Sequence, residues 1–404
     1  MKTVSLKPLH TEEGRRDPYR IYAELHRMGQ VCAVEPGEHY AFVVHGFEAA
    51  TQVLKDGATF KIADETLLKT TRGWDQNRAH AVFMNSVFFT NSPRHTRMRK
   101  LFNQAFTQRR VYDMEPAIDR LTVELLDRLA AADGAVDFMK EFAFPLPANV
   151  LGELIGVPER DRAWYRPRAL LIGELLELGG SAPSVIRRAD EAAVEITDYF
   201  ADLVAQRRRE PQNDLISALV RVLATDEGAM TEHELLANLV VVFNAGFVTT
   251  THLLGNGLTI LLNHPHLLAR LREDPSLAPS YVEEMLRYEV PTHFSVRYCA
   301  QDTTVAGVEI PEGSWVLVLS AAANRDPARF PDPDVFDPAR PDNHTLAFSA
   351  GAHYCLGAAL ARLEGARGLN LLLQRFPVIK LAKPPGTPRQ LMLRGHDELW
   401  LEFR

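Results

Sequence analysis

The segment from Leu239 to Leu262 is the most apolar stretch of the chain, long enough for roughly six turns of helix. Asn244, the run Thr249 to His252 and Asn256 interrupt it. A membrane span of that length carries few such groups, so the segment reads as a buried helix, and a buried helix needs other helices around it. The fold expected is therefore large and mainly helical.

The rest of the chain supplies that surround. Apolar residues recur at spacings of three and four over Val111 to Ala132, Ala182 to Arg209 and Thr231 to Asn263. Nearer the N-terminus come an amphipathic helix at Pro18 to Met28, a strand at Ala41 to Val44 and a helix from Phe47. Helix dominates to about Glu289. From Pro291 the stretch SVRYCAQDTTVAGVEIPEGSWVLVLS alternates, with turn signals at Ala306-Gly307 and Pro311-Glu312-Gly313, and predicts a small antiparallel sheet. A proline-rich meander, NRDPARFPDPDVFDPARP, then runs without regular structure to a helix ending near Arg375, and strands follow near Val378 to Leu381 and Leu399 to Phe403. No repeat or flexible linker divides the 404 residues, so one domain over 1–404, mainly α with a minor β part, is expected.

Composition excludes several functions. With 46% hydrophobic residues a sizeable core is available, and a formal charge of −7 without a basic tract gives no nucleic-acid footprint. The N-terminus MKTVSLKPLHTEEGRRDPYR has no apolar core for a signal or membrane anchor. Cys32, Cys299 and Cys355 are far apart, with neither a disulfide framework nor a zinc-ligand set, which suits a reducing cytoplasm. Cys32 and Cys299 are expected to pack as small hydrophobes.

Cys355 has other neighbours. In FSAGAHYCLGAALARLEG, Gly351 and Gly357 allow close backbone approach, and the helix that follows opens with free N–H groups that stabilise a thiolate. Such a thiolate suits a nucleophile with His353 as base, a zinc ligand with His344 and His353, or the axial ligand of a haem. Only the last needs no further protein ligand.

The pattern Phe348-x-x-Gly351-x-His353-x-Cys355-x-Gly357 resembles the haem-binding loop of the cytochrome P-450 superfamily, the haem-thiolate monooxygenases. Glu284-Met285-Leu286-Arg287 matches that family's E-x-x-R helix motif and Asn324 to Arg340 its meander, so the resemblance covers nearly the whole chain, from Asp17-Pro18-Tyr19 onward. It implies the P-450 fold, with haem between the long oxygen-activating helix and the cysteine loop. Cys355 is then the iron ligand, and Glu284, Arg287 and Arg340 form a structural triad. His95, Arg99, Arg297 and His353 bind the haem propionates, while Arg94, Arg97 and Lys100 are left as an exposed basic face. Such basic residues, with Arg362, would dock an acidic ferredoxin.

The same resemblance aligns Ala245, Gly246 and Thr249 with an oxygen-activation motif, in which Thr249 holds the bound oxygen and relays protons, beside Thr250. The family's acid is missing: Val248 stands there and cannot relay a proton. Asn244 or Thr250 organising water, a hydroxyl from the substrate, or an unusual reaction are the alternatives. Candidate pocket segments are the loop from Phe83 to Thr90 (Phe83, Val87, Phe88), the region near Leu170 to Leu178, Val242, Phe243 and Val248, Thr292 to Val296 (Thr292, Phe294, Val296), and Leu391 with Met392.

The implied activity is hydroxylation or epoxidation of an organic small molecule, a secondary metabolite such as a polyketide or peptide, by a soluble bacterial-type enzyme. It would use haem b and O2. The chain carries neither a dinucleotide fingerprint nor a four-cysteine cluster, so electrons from NAD(P)H are expected through a separate ferredoxin and reductase. A peroxide-driven enzyme and a non-catalytic haem binder are the other readings.

Overall fold

A computed structural model of the chain describes residues 2–63, 77–176, 182–225 and 230–404. It is mainly helical with a minor β part, and it comprises two compact units. The first is assembled from Met1–Ile62, Thr122–Ala143 and Thr249–Arg404, the second from Ala63–Leu121 and Phe144–Val248.

Helices occupy Pro18–His26, Phe47–Lys55, Pro183–Arg209, Glu232–Asn263 and Ala358–Arg375, close to the predicted ranges. The window Val111 to Ala132 differs. It divides into Gln108–Tyr112 and Glu115–Ala130 because Pro116 is tolerated only in a first helical turn, which forces a restart just before it.

In the first unit a six-stranded mixed sheet runs in the order Thr3–Val4, Val31–Val34, Phe42–Val44, Trp315–Val318, Ser295–Cys299, Phe60–Lys61. The alternating region after Pro291 is thus only in part a separate antiparallel sheet, because its outer strands join this larger one. Trp315–Val318 pairs antiparallel with Ser295–Cys299 on one side and parallel with Phe42–Val44 on the other. Alternation fixes which face of a strand is buried but not its distant partner. The turn at Ala306-Gly307 closes a two-stranded hairpin, Thr303–Val305 with Val308–Ile310, with both turn residues at positive φ, 49° and 78°. Phe42, Val316, Val318 and Phe60 pack beside Phe47, Ala50 and Val53 of the adjoining helix. Cys32 and Cys299 are both 0% exposed, as small hydrophobes would be. The predicted terminal strands form a further sheet, Ile379–Leu381, Trp400–Phe403 and Val136–Asp137.

The described residues of the second unit form helices and no strands. Tyr165 meets Phe243 edge-on at 4.1 Å between ring centroids, and Phe200 and Phe247 complete the cluster. By length and composition Glu232–Asn263 would pass as a membrane span, but 72% of its most apolar window is buried inside the protein.

The core of the first unit also holds a carboxyl that no ion pair or hydrogen bond among the described residues neutralises. On the cysteine-proximal helix Ala358–Arg375, Leu360, Glu364, Gly368 and Leu372 form one buried ridge at i+4 spacing. Glu364 is 1% exposed, its Oε2 accepts no hydrogen bond, and burial pushes its carboxyl up to about 8. Below the unfolded value near 4.5 the group is protonated in both states and adds no pH-dependent cost. As pH rises towards 8 the unfolded state ionises first, and native stability falls by ~1.4 kcal/mol per unit. The urea stability of wild type relative to Glu364→Gln is expected to drop by several kcal/mol between pH 4.5 and 8. A pH-independent difference would contradict this assignment.

Candidate active site

The cysteine loop owes its shape to two left-handed residues, Ser349 at φ 63° and Gly351 at φ 71°. At Gly351 a Cβ would stand 2.7 Å from the Leu54 carbonyl oxygen and 2.9 Å from Lys55 Cα, so only glycine fits. The Cys355 N–H donates to the Phe348 carbonyl at 2.9 Å and the Tyr354 N–H to that of Gly351 at 3.1 Å, closing the loop. Cys355 is half-buried, unlike the other two cysteines, and the helix starts three residues later at Ala358. Gly357 and His353 also keep accessible surface. The Arg362 guanidinium stacks 4.4 Å over the Phe348 ring, bonds the Tyr354 hydroxyl at 3.2 Å and pairs with Glu283. Its charge is therefore paired within the loop's surroundings, while more than a third of the side chain stays exposed.

Glu284 and Arg287 are both fully buried and form a fork-to-fork pair at 2.7 and 2.8 Å. The remaining Arg287 donors reach the carbonyls of Asn324 (3.2 Å), Pro333 (2.8 Å) and Val335 (2.9 Å) in the meander. The third member was expected to be Arg340. Its Nε lies 3.6 Å from Glu284, an ion pair too long for a hydrogen bond, while the Asn343 amide (3.0 Å) and the Asp337 N–H (2.8 Å) make the direct bonds. Asn343 escaped sequence reading because an asparagine in a loop carries no periodic signal.

The basic candidates divide between the units. In the first, Arg297 on strand Ser295–Cys299 is 4% exposed and donates to the Val296 carbonyl at 2.8 Å. No carboxylate among the described residues pairs with it, and burial lowers it to about 10. In the second, His95 on helix Arg94–Ala105 is 3% exposed, and burial and then Arg99 push its pKa down. Lys100 is exposed as expected. Arg94 and Arg97 are not a solvated face: both reach Oε1 of the buried Glu234 at 2.7 Å. The sequence could not show this because the acid lies 140 and 137 residues away.

From Glu234 to Thr251 every residue of the long helix is buried except Ala245, Gly246 and Thr249. These are the three motif positions. At Gly246 a Cβ would lie 2.6 Å from Leu151 Cδ2, so glycine there also permits close helix packing. Val248 (8% exposed), Thr250 (2%) and Asn244 (6%) are buried, and Asn244 Oδ1 accepts no hydrogen bond.

The pocket candidates are mixed. Phe83, Val87, Val242, Phe243, Phe294 and Leu391 are buried, and Phe243 belongs to the aromatic cluster of the second unit. Thr292, Val296 and Met392 retain accessible surface, and Phe88 is exposed at 36%. Thr292 and Leu393 form a β-bridge, and His293 N–H donates to the Met392 carbonyl at 3.0 Å, which brings those two segments together in the first unit. Of the segment near Leu170 to Leu178, residues 177 and 178 lie outside the described residues.

A family model described as Cytochrome P450 matches residues 6–155 and 181–398. The chain belongs to the cytochrome P450 family. It is 39% identical to the 6-deoxyerythronolide B hydroxylase of Saccharopolyspora erythraea over 98% of both chains. It is 38% identical to the cytochrome P450 monooxygenase PikC of Streptomyces venezuelae, over 96% of this chain and 91% of that one. Among solved structures, P450BioI in complex with hexadec-9Z-enoic acid ligated acyl carrier protein superposes with a TM-score of 0.89 at 33% identity, covering 97% of this chain and 100% of that one. The protein is thus a cytochrome P450 monooxygenase, an oxidoreductase of a haem-dependent family.

The residues present fit a haem. A buried guanidinium without an acid is costly unless an anion joins it, and a propionate would serve at Arg297. The half-buried thiol of Cys355 is the soft donor that such an iron takes. Because the Glu284–Arg287 pair is fully buried, Glu284→Ala leaves a guanidinium and two meander donors unpaired and is expected to cost ~3–5 kcal/mol in urea unfolding. Glu12→Ala, which removes the exposed partner of Arg16, is expected to cost under ~1 kcal/mol. Equal small losses would contradict the packing described.

Proposed function

We propose that residues 1–404 act as one haem domain that hydroxylates or epoxidises an organic small molecule of secondary metabolism, such as a polyketide or peptide. The observation that carries this reading is Cys355, the one cysteine of three that is not fully buried, held in a closed loop before a helix. The names of the relatives, a hydroxylase of 6-deoxyerythronolide B among them, support the substrate class. The cofactor is haem b, electrons come from NAD(P)H through a ferredoxin and its reductase, and the protein works in the cytoplasm.

Bound to the chain, haem supplies the iron at which O2 is reduced with two electrons and two protons and one oxygen atom reaches the substrate. Cys355 would supply a thiolate to the iron from the loop that Phe348, Gly351 and Gly357 shape, and propionate-binding roles would fall to Arg297 and His353 in the first unit and to His95 and Arg99 in the second. At the long helix Ala245 and Gly246 contribute no bulk, and the Thr249 hydroxyl, with Thr250 next to it, donates and passes on a proton. Val248 gives no acid. Asn244, one turn earlier on the same face, has a buried amide oxygen with no protein donor, which supports it as the group that orients water there. Thr292, Val296 and Met392 border the substrate.

Turnover under 18O2 with a ferredoxin system tests the reading. One labelled atom is expected in the product and one in water, and Thr249→Ala is expected to divert electrons into hydrogen peroxide. Unlabelled product, or turnover supported by hydrogen peroxide but not by reduced ferredoxin, would sink it in favour of peroxide-driven chemistry.

A further inference from the structure

Glu234 opens the long helix in a capping box, accepting from the Thr231 N–H at 2.8 Å while its own N–H donates to Thr231 Oγ1 at 3.2 Å. A capping glutamate usually faces solvent, yet this side chain is 3% exposed. Its Oε1 takes Arg94 Nε and Arg97 Nη2, both at 2.7 Å. Burial alone would raise its carboxyl, but the Thr231 N–H and the two guanidinium groups outweigh it and hold the group at about 2. Arg94 also donates to Asn85 Oδ1 at 2.6 Å, tying in the preceding segment.

One turn further on, Asn238 continues the grip. Its amide nitrogen approaches Met98 Sδ at 3.4 Å, and its Oδ1 accepts from the Val87 N–H at 2.8 Å. Arg94, Arg97 and Met98 share one face of helix Arg94–Ala105, and at 100° per residue His95 and Arg99 lie roughly 120° round from it. Contacts spread over a whole turn of one face fix the rotation of a helix about its axis. Glu234 and Asn238, four residues apart, lie on the face of the long helix that continues to Val242 and Ala245.

We propose that Glu234 is a positioning residue of the haem site: by gripping Arg94 and Arg97 it sets the rotation of helix Arg94–Ala105, and so aims His95 and Arg99 at the haem carboxylates. This rests on the propionate role given to His95 and Arg99 above. Removing the acid leaves the helix in place through Met98 and its apolar face but frees its rotation.

The test is the rate of haem transfer from the loaded protein to apomyoglobin, in two backgrounds. Glu234→Gln is expected to speed transfer by about tenfold, equivalent to ~1.4 kcal/mol, with Arg97→Gln a milder variant should the first not fold. In a background already carrying His95→Ala and Arg99→Ala, Glu234→Gln should add less than a twofold change, because nothing is left to aim. Asp214→Asn, which breaks the buried Arg207–Asp214 pair of the same unit, controls for general loss of stability and should lower the unfolding midpoint without hastening transfer. Equal acceleration by Glu234→Gln in both backgrounds, or none in either, overturns the proposal while leaving the propionate reading intact. If His95→Ala with Arg99→Ala does not itself hasten transfer, the propionate reading has failed and the inference falls with it.

Discussion

The fully buried fork between Glu284 and Arg287 is the interaction on which the proximal part of the structure depends. The meander has little helix or sheet to pair its polar backbone, and unpaired buried carbonyls are costly. Arg287 takes three of those carbonyls and Glu284 takes the Asp337 N–H, so one charged pair substitutes for a secondary-structure ladder. The Leu346 N–H is held by Asn324 Oδ1 at 2.7 Å, and the cysteine loop begins two residues later. The position of the Cys355 thiol is therefore set by a pair nearly seventy residues upstream.

A second constraint is the arrangement of cations. Most arginines in the described residues are matched: Arg207 with Asp214, Arg394 with Glu289, Arg325 with Asp334, Arg94 and Arg97 with Glu234. Arg297 is not, although it is among the most buried. A fold that neutralises its other buried cations and leaves one without an acid has the electrostatics of a site for an anionic group. The long helix closes every position over five turns, from Glu234 to Thr251, except Ala245, Gly246 and Thr249.

Much of this was legible in the sequence, for identifiable reasons. Helix Pro183–Arg209 carries a clear 3.6-residue periodicity, Glu232–Asn263 is a long apolar run without proline, and the glycine–cysteine loop and the i,i+3 acid–base pair are local patterns. What escaped depends on distant pairing. The parallel partnership of Phe42–Val44 with Trp315–Val318 leaves no trace in either strand's alternation. Nor can the run RHTRMRK say which arginines meet Glu234 and which remain on other faces of the helix. Glu364 is not legible either, because a charged residue on an apolar ridge reads as a solvated one until burial is known. Asn343 took much of the place expected for Arg340 because both reach the same carboxylate from an irregular segment.

The central claim is that Cys355 binds the iron of a haem as a thiolate. The most direct measurement is the absorption spectrum of the reduced, carbon-monoxide-bound protein, compared with that of Cys355→His. Thiolate ligation predicts a strongly red-shifted Soret band in the wild-type protein and its replacement by an ordinary histidine-type band in the variant. An unshifted band in the wild type, or the same spectrum in both proteins, would contradict the account.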